Sequence, residues 1–206
     1  FKFSYKKMNP AGSLFDSAKL NDVSKNVISR MSAKRVYDLA AEWAKEYDTD
    51  LYSEMTADPN YTEMVFGIGR GGKNPRKDIA VWGDVKNYIN LFYDKYFEIH
   101  DSYPEKFSTD DIKKSLIAFA ETFDINDDSN VWFDKIKDIA DMLGYASDMR
   151  AYKTSPDSYK GNVSDISMFI RIAVTGKTSS PDMYSVMQIL GTDRVLERTQ
   201  KMIKSL

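Results

Sequence analysis

The segment from Arg171 to Gly191, RIAVTGKTSSPDMYSVMQILG, contains the pattern that decides the fold. An apolar run ends at Thr175-Gly176, a short polar loop follows, and a second apolar run ends at Gly191. Apolar residues three and four apart form one face of an α-helix, and glycine is common just beyond a helix C-terminus. The segment therefore predicts two helices joined by a polar loop, with Ser180-Pro181 opening the second helix.

The same helical spacing recurs along most of the chain, and no stretch alternates polar and apolar residues as a half-buried strand would. Helix starts are expected at caps on Ser32 and on Ser108 or Thr109, and helix ends at Gly144, Gly176 and Gly191. The predicted buried faces are Val36, Leu39, Ala40, Trp43, Ala44 and Tyr47; Ile112, Leu116, Phe119, Ala120 and Phe123; Trp132, Ile136, Ile139, Ala140 and Leu143; Ile166, Phe169, Ile170, Ala173 and Val174; Met183, Val186, Met187 and Leu190; and Val195, Leu196, Met202 and Ile203. The sequence therefore predicts an all-α fold.

Composition excludes several classes of function. The 206 residues are 42% hydrophobic and 29% charged, as in a soluble globular protein of one domain or two small ones. The chain has no cysteine, which excludes disulfides and thiolate metal sites and indicates a reducing cytoplasm. Its one histidine, His100, excludes multi-histidine metal sites and histidine-based triads. We expect no catalytic residue, no metal site and no membrane span in this chain.

Basic residues are concentrated in two places. Arg70, Lys73, Arg76 and Lys77 lie in a glycine-rich loop, and Lys177 follows Gly176. The net charge of −2 argues against a protein that coats nucleic acid non-specifically, but it allows a local basic face. The glycine-rich loop is consistent either with a solvated connection or with a site for RNA, whose unstacked bases suit arginine and nearby aromatic side chains.

Two further residues could belong either to the hydrophobic core or to a binding site. At about 100° per residue, Arg171 points roughly 130° away from the centre of its helix's apolar stripe, so we expect it to face solvent or a partner. Arginine beside a helix start suits the acceptors of a phosphate or a base edge. Met183 begins an apolar stripe and is therefore either a core methionine or, at a first helical turn, an apolar contact for a base.

Three stretches of the chain are similar to parts of one known family. The first is Phe15-Asp16, followed by Lys19-Leu20 and Ile28, and the second is Asn74-Pro75-Arg76-Lys77-Asp78. The third, from Arg171 to Gln200, is similar to an ending in which an arginine, an apolar run, Thr-Gly, a short loop and Thr-Pro precede a helix closing in Leu-Gly. In this order they resemble the stem-contact segment, the proline-arginine element of the first anticodon-binding part and the ending of bacterial glutamyl-tRNA synthetases, a class I aminoacyl-tRNA synthetase family.

The resemblance implies a module that recognises the anticodon of tRNA(Glu). Arg76 would read the third anticodon base, Arg171 the first, and Ser180, Pro181 and Met183 would line the pocket of the second. Arg70, Lys73, Lys77 and Lys177 are candidate contacts to the RNA backbone. The resemblance also implies a stem-contact segment ending at residue 31, followed by two helical anticodon-binding subdomains, 32–104 and 105–206.

The same resemblance also implies which partners and cofactors the chain would have. The chain opens without methionine, so we expect a piece of a longer chain whose N-terminal catalytic domain would use ATP and Mg²⁺ to activate glutamate. This chain itself would hold no cofactor, would contact neither DNA nor a membrane, and would be a cytoplasmic monomer. Whether it would also accept tRNA(Gln) stays open.

A helical protein–protein interaction module with an exposed basic face is the alternative. RNA reading requires Arg76, Arg171 and the Ser180-Pro181 helix start to share one face. If they lay on separate faces, the protein-interaction alternative would be favoured.

Overall fold

The structure is a computed structural model that describes residues 3–7 and 16–206. In this part of the chain the regular structure is helical, apart from one isolated bridge between Ala146 and Asn162. The α-helices are α1 (Ser17–Ser29), α2 (Ala33–Tyr47), α3 (Thr49–Ala57), α4 (Pro59–Gly67), α5 (Val85–Ile89), α6 (Thr109–Thr122), α7 (Ser129–Leu143), α8 (Met149–Thr154), α9 (Val163–Thr175) and α10 (Met183–Ser205), with short 3₁₀ turns at 5–7, 82–84, 90–92 and 156–158. The expected all-α fold is confirmed. Phe15, quoted for the resemblance, lies outside the described residues.

Short polar side chains cap the helix N-termini. Ser32 accepts a hydrogen bond from the Arg35 amide at 3.2 Å, as expected. Ser108, rather than Thr109, accepts from the Asp111 amide at 3.1 Å and caps α6. Each such cap satisfies a backbone donor that the helix leaves unpaired, and typically contributes about 1 kcal/mol.

The start of α10 differs from the expectation. Asp182, not Ser180, is the cap, and its Oδ2 accepts from the Ser185 amide at 2.8 Å and from the Ser185 hydroxyl at 2.7 Å. The Ser180 hydroxyl instead donates to the Pro181 carbonyl at 2.9 Å. A carboxylate interacts more favourably with the positive end of a helix than a hydroxyl does. The prediction that Ser180-Pro181 opens the helix was therefore wrong, and these residues belong to the loop before it.

Two groups of helices form the hydrophobic core. α2 packs against α3 and α4, while α6, α7, α9 and α10 pack on one another, and α10 also contacts α4. Most of the predicted stripes are buried, but Tyr47 is 65% exposed and stacks on Trp43 with ring centroids 5.6 Å apart. Tyr47 is the last residue of α2, where the chain turns into α3. The subdomain boundaries 32–104 and 105–206 remain a prediction.

Glycines end α7 and α9 as predicted, and the one after α9 has a second role. Gly144 and Gly176 are both left-handed, with φ of 82° and 75°. The Gly176 carbonyl accepts from the amides of His100 and Asp101 at 2.9 and 3.0 Å. A Cβ on Gly176 would lie 2.1 Å from the Glu98 carbonyl oxygen. Gly176 thus lets the end of α9 touch the main chain of residues 98–101. Gly191, with φ of 78° and ψ of 165°, interrupts α10 near the predicted break.

Gly176→Ala tests this contact. We expect the free energy of unfolding to fall by about 2–5 kcal/mol, because left-handed backbone strain adds to a steric clash with Glu98. Urea denaturation followed by circular dichroism measures the change. Gly144→Ala is the matched control, since the added Cβ would meet its nearest atom, Lys160 Cε, at 3.9 Å. The control should lose about 1–2 kcal/mol. Equal losses in the two variants would contradict the close approach at Gly176.

Candidate functional site

The loop from Lys177 to Asp182, called here the 177–182 loop, is held by side chains from the first half of the chain. The Thr178 amide and hydroxyl both donate to Asp101 Oδ2, at 2.6 and 2.7 Å. These bonds also lower the pKa of the Asp101 carboxyl. Lys177 Nζ lies 3.3 Å from the side-chain oxygens of both Asn87 and Asn90. The loop therefore has a defined position between the two groups of helices.

One side of the loop borders a cavity of about 460 Å³, called here the polar cleft. Its charged and amide side chains are Asn21, Lys25, Arg76, Asp78, Asp84, Asn87 and Lys177, and Ser180 and Pro181 form part of its wall. Lys25 comes from α1, Arg76 from the glycine-rich loop and Lys177 from the end of α9. Three cations that are distant in sequence thus converge on one cleft.

Arg76 in the polar cleft is oriented by a neighbouring carboxylate. Its Nε and Nη2 donate to the two oxygens of Asp78, each at 2.8 Å, and its Nη1 donates to the Ser180 carbonyl at 3.3 Å. The Asp78 bonds raise the pKa of the Arg76 guanidinium. A guanidinium has about five N–H donors, so about two remain for a ligand. Arg76 is thus partly exposed, fixed in direction and still able to bind.

The other side of the loop borders a second cavity, of about 480 Å³, called here the aromatic cleft. Its lining residues are Ser129, Asn130, Trp132, Phe133, Ser167, Arg171, Ser180, Pro181, Asp182, Met183 and Tyr184. Ser180 and Pro181 line both clefts. Arg76, Arg171 and Ser180-Pro181 therefore come together around one loop.

Arg171 is less exposed than its position on the helical wheel predicted. Its Nη1 lies 3.5 Å from the Thr178 carbonyl, and its buried Nε has no hydrogen-bond partner in the described part of the chain. Loss of solvent lowers the pKa of its guanidinium. The neighbouring Ile172 and Thr175 are also buried, because the last turn of α9 is enclosed rather than packed on one side. Arg171 therefore faces a cavity, not bulk water.

Met183 and Pro181 are both buried, and Met183 is 5% exposed. Met183 is thus a core residue of the α10 stripe, and it also lines the aromatic cleft. Ser180, between the two clefts, is partly exposed, and its hydroxyl contacts the Met183 sulfur at 3.2 Å.

The remaining basic residues separate into two kinds. Arg70 is half-buried: its Nε donates to the Phe66 carbonyl and its Nη1 to the Ile28 carbonyl, both at 2.6 Å. It therefore satisfies carbonyls at the C-terminal ends of α4 and α1, and the glycine-rich loop is not simply a solvated connection. Lys73 and Lys77 are exposed on that loop.

Arg198 was not predicted from the sequence, although its buried side chain stabilises the chain segments that form the site. It is 5% exposed, and its Nη1 donates to the carbonyls of Leu91 and Val174 at 2.7 and 3.0 Å. Its Nη2 contacts Asp94 at 2.8 Å, and its guanidinium lies 3.7 Å from the Phe97 ring centroid. The available signal was its helical spacing from Val195 and Met202 on one apolar face. Arg198 joins the end of α9 to the chain segment after α5.

Within residues 3–7 and 16–206, no group of three or more acidic or histidine side chains is arranged to hold a metal ion. No helix in the same residues combines the length and apolar character needed to cross a bilayer.

Comparison with known proteins identifies the relatives of the chain. Residues 150–203 match the family described as "Anticodon binding domain". The chain is 42% identical over 203 residues to a glutamate–tRNA ligase of Acetivibrio thermocellus, covering 98% of this chain and 37% of that protein. It is 41% identical over 205 residues to a glutamate–tRNA ligase of Sorangium cellulosum, covering 98% of this chain and 36% of that protein.

A solved structure shares the fold. The crystal structure of a glutamate tRNA ligase from Elizabethkingia meningosepticum, in complex with its amino acid, matches all of this chain and 36% of its own chain, with a TM-score of 0.63 and 16% identity. The chain thus spans little more than a third of the length of the relatives it matches. The expected resemblance is confirmed: the chain is similar to the C-terminal, anticodon-binding portion of glutamate–tRNA ligases.

Replacing Arg198 tests its support of the site. In Arg198→Met the carbonyls of Leu91 and Val174 lose a buried donor, and each unsatisfied group costs about 1–3 kcal/mol. We expect the free energy of unfolding in urea to fall by about 2–4 kcal/mol. Arg194→Met is the control, because Arg194 is partly exposed and bonds the Tyr61 hydroxyl and the Phe92 carbonyl. It should lose about 1 kcal/mol. Similar losses in both variants would contradict a special role for Arg198.

Proposed function

We propose that this chain, a C-terminal anticodon-binding portion of the glutamate–tRNA ligase type, selects tRNA(Glu) for glutamylation by another part of the whole protein. The observation that carries the proposal is the convergence of Arg76, Arg171 and Ser180-Pro181 around the 177–182 loop. The same convergence favours RNA reading over a protein-interaction module, which required no such clustering. We infer that the chain acts in the cytoplasm and as a monomer.

The described residues contain no cluster of three or more metal-ligating side chains, and the glycines between 67 and 72 do not form a phosphate-binding motif followed by a helix. We therefore propose that ATP and Mg²⁺ bind the whole enzyme outside this chain, and that the residues described here contribute recognition only.

Arg76 would read the third anticodon base in the polar cleft. On the pairing edge of an unstacked cytosine, the ring nitrogen and the carbonyl oxygen are adjacent acceptors, whereas guanine presents two N–H donors in a similar region. Two free guanidinium donors therefore match cytosine and oppose guanine. Because Asp78 fixes the guanidinium before RNA arrives, little side-chain freedom is lost on binding.

Arg171, Ser180, Pro181 and Met183 would contact the first and second bases from the aromatic cleft. Arg171 supplies charge-assisted donors, and Ser180 supplies a hydroxyl at the rim. Pro181 and Met183 supply an apolar wall. Such a combination of donors and apolar surface is typical of sites for bases turned out of a stack.

Lysines would contribute attraction to the RNA backbone without selecting a sequence. Lys73 and Lys77 are exposed on the glycine-rich loop that also carries Arg76, and Lys177 lines the polar cleft. Contacts of this kind make affinity depend on salt concentration. Arg70 is left out of the proposed interface, because its side chain is bonded to backbone carbonyls.

Arg76→Ala is the central test of this function. We expect the unmodified chain to prefer the tRNA(Glu) anticodon stem-loop over a loop with the third base changed from C to G by about 1–3 kcal/mol. The variant should lose that preference, because its two donors to the base are gone. Titrations by fluorescence anisotropy at two salt concentrations measure both effects.

The control for Arg76→Ala is the neighbouring Lys77→Ala. Its affinity should fall equally for both loops, and the slope of log affinity against log salt should decrease by about 1. Equal, salt-sensitive binding of both loops to the unmodified chain would mean phosphate attraction alone and would refute the proposal.

Asp78→Asn tests the orientation of Arg76 separately. The amide retains the size of the carboxylate but loses a negative charge and one paired acceptor, so the guanidinium is released. We expect binding of the mismatched loop to strengthen by roughly 0.3–1 kcal/mol, while the preference for the matched loop falls. The same titrations report both numbers. A parallel loss of affinity for the two loops would instead indicate that Asp78 only supports the fold.

A further inference from the structure

Among the described residues, two that line the aromatic cleft carry a buried hydrogen-bond donor without a partner. Among the described residues, the buried side-chain atoms that lack a partner are Tyr96 Oη, Trp132 Nε1, Tyr145 Oη and Arg171 Nε. Both nitrogens in this set belong to residues that line the aromatic cleft. Unpaired buried donors are rare in folded proteins, and each costs free energy. Their occurrence on two residues that line one cavity points to a ligand with hydrogen-bond acceptors.

Trp132 is held by the surrounding helices rather than free to rotate. It lies in the first turns of α7, and its ring centroid is 6.3 Å from that of Tyr184 on α10 and 6.3 Å from that of Phe133. The Tyr184 hydroxyl donates to the Asp127 carbonyl at 3.0 Å, which fixes that ring in turn. The indole N–H therefore has a set direction before any ligand binds.

The chemistry of the cleft favours a flat, largely uncharged ligand. Among the described residues, Arg171 is the single cation that lines it, and Asp182 lines it as well. A phosphate group would meet this carboxylate and would leave the aromatic surfaces unused. An unstacked nucleobase has acceptors on its edge for two N–H donors and a face that packs on Trp132 or Tyr184.

We propose that Trp132 is a specificity-determining residue for the base that Arg171 contacts, with its indole N–H donating to a carbonyl oxygen or ring nitrogen of that base. This inference rests on the proposed function, in which Arg171 contacts the first anticodon base. The position of Trp132 in the apolar stripe of α7 predicted a core residue. The inference makes it part of the binding surface instead.

The test combines Trp132→Phe with removal of the base. Phenylalanine keeps an aromatic ring but has no N–H, so affinity for the anticodon stem-loop should fall about threefold to tenfold. A stem-loop with an abasic site at the first anticodon position lacks the acceptor. Its affinity should be the same for the variant and for the unmodified chain. Anisotropy titrations give the four dissociation constants.

Tyr145→Phe is the matched control. It also removes a buried donor that has no partner in the described protein, but Tyr145 packs against Phe107 and Phe169 in the core and does not line the aromatic cleft. It should leave the affinity for both loops unchanged.

A second measurement does not depend on changing Trp132. The chain has three tryptophans, so Trp43→Phe combined with Trp82→Phe leaves Trp132 as the one fluorophore of this type. The intact stem-loop should quench its emission, and the abasic loop should not.

The outcomes separate the two proposals. The proposed role of Trp132 is overturned if two results are found together. The first is that Trp132→Phe weakens binding of the intact and the abasic loop equally, or of neither. The second is that Trp132 fluorescence is the same with the intact and the abasic loop. If the unmodified chain distinguishes neither the abasic loop nor the loop with a changed third base, the proposed function itself fails.

Discussion

The main-chain contact between Gly176 and residues 98–101 is the constraint on which the site depends. It requires a residue without a side chain in the left-handed conformation, and it brings the end of α9 against the chain that leaves the first group of helices. Thr178 is then bonded to Asp101, and Lys177 to Asn87 and Asn90. Arg198 secures the same junction from the interior by donating to the carbonyls of Leu91 and Val174. The position of the 177–182 loop follows from these contacts.

The two proposed reading arginines are prepared for binding in opposite ways. Arg76 is partly exposed and is aimed by a carboxylate, which raises the pKa of its guanidinium. Arg171 is enclosed by packing, and loss of solvent lowers the pKa of its guanidinium. Arginine stays protonated in both settings, since its ordinary pKa lies far above neutrality. Asp78 therefore preorganises Arg76, whereas the packing around α9 preorganises Arg171. Both guanidinium groups keep N–H donors available.

The helical fold could be predicted because local chemistry determines it. The spacing of apolar residues, the cap at Ser32 and the glycines at 144 and 176 identify the helices without tertiary information. The start of α10 was misplaced because serine and aspartate within three residues are both good caps, and the choice depends on which side chain reaches the free amides. Arg76, Arg171 and Ser180 were proposed as site residues from the resemblance, and their meeting around one loop could not be deduced from spacing.

Other features of the site depend on contacts between distant parts of the chain. No feature of the neighbouring sequence distinguishes Arg70, which is hydrogen-bonded to carbonyls at helix ends, from Lys73, which is exposed. The burial of Arg198 and the unpaired donor of Trp132 likewise arise from packing among several helices. A helical wheel gives the direction of a side chain relative to its own helix axis only. It therefore could not predict the partial burial of Arg171, because the end of α9 is covered on more than one side.

The shared wall of the two clefts has a consequence for how such a surface can change. Ser180 and Pro181 border both cavities, so an altered side chain there changes the shape of both at the same time. The outer walls are independent: Asn21, Lys25 and Asn87 border the polar cleft alone, and Trp132 and Phe133 the aromatic cleft alone. Under the proposed function, evolution or engineering toward a new anticodon could therefore adjust the outer wall of one cleft alone, whereas a change in the 177–182 loop would affect two neighbouring bases together.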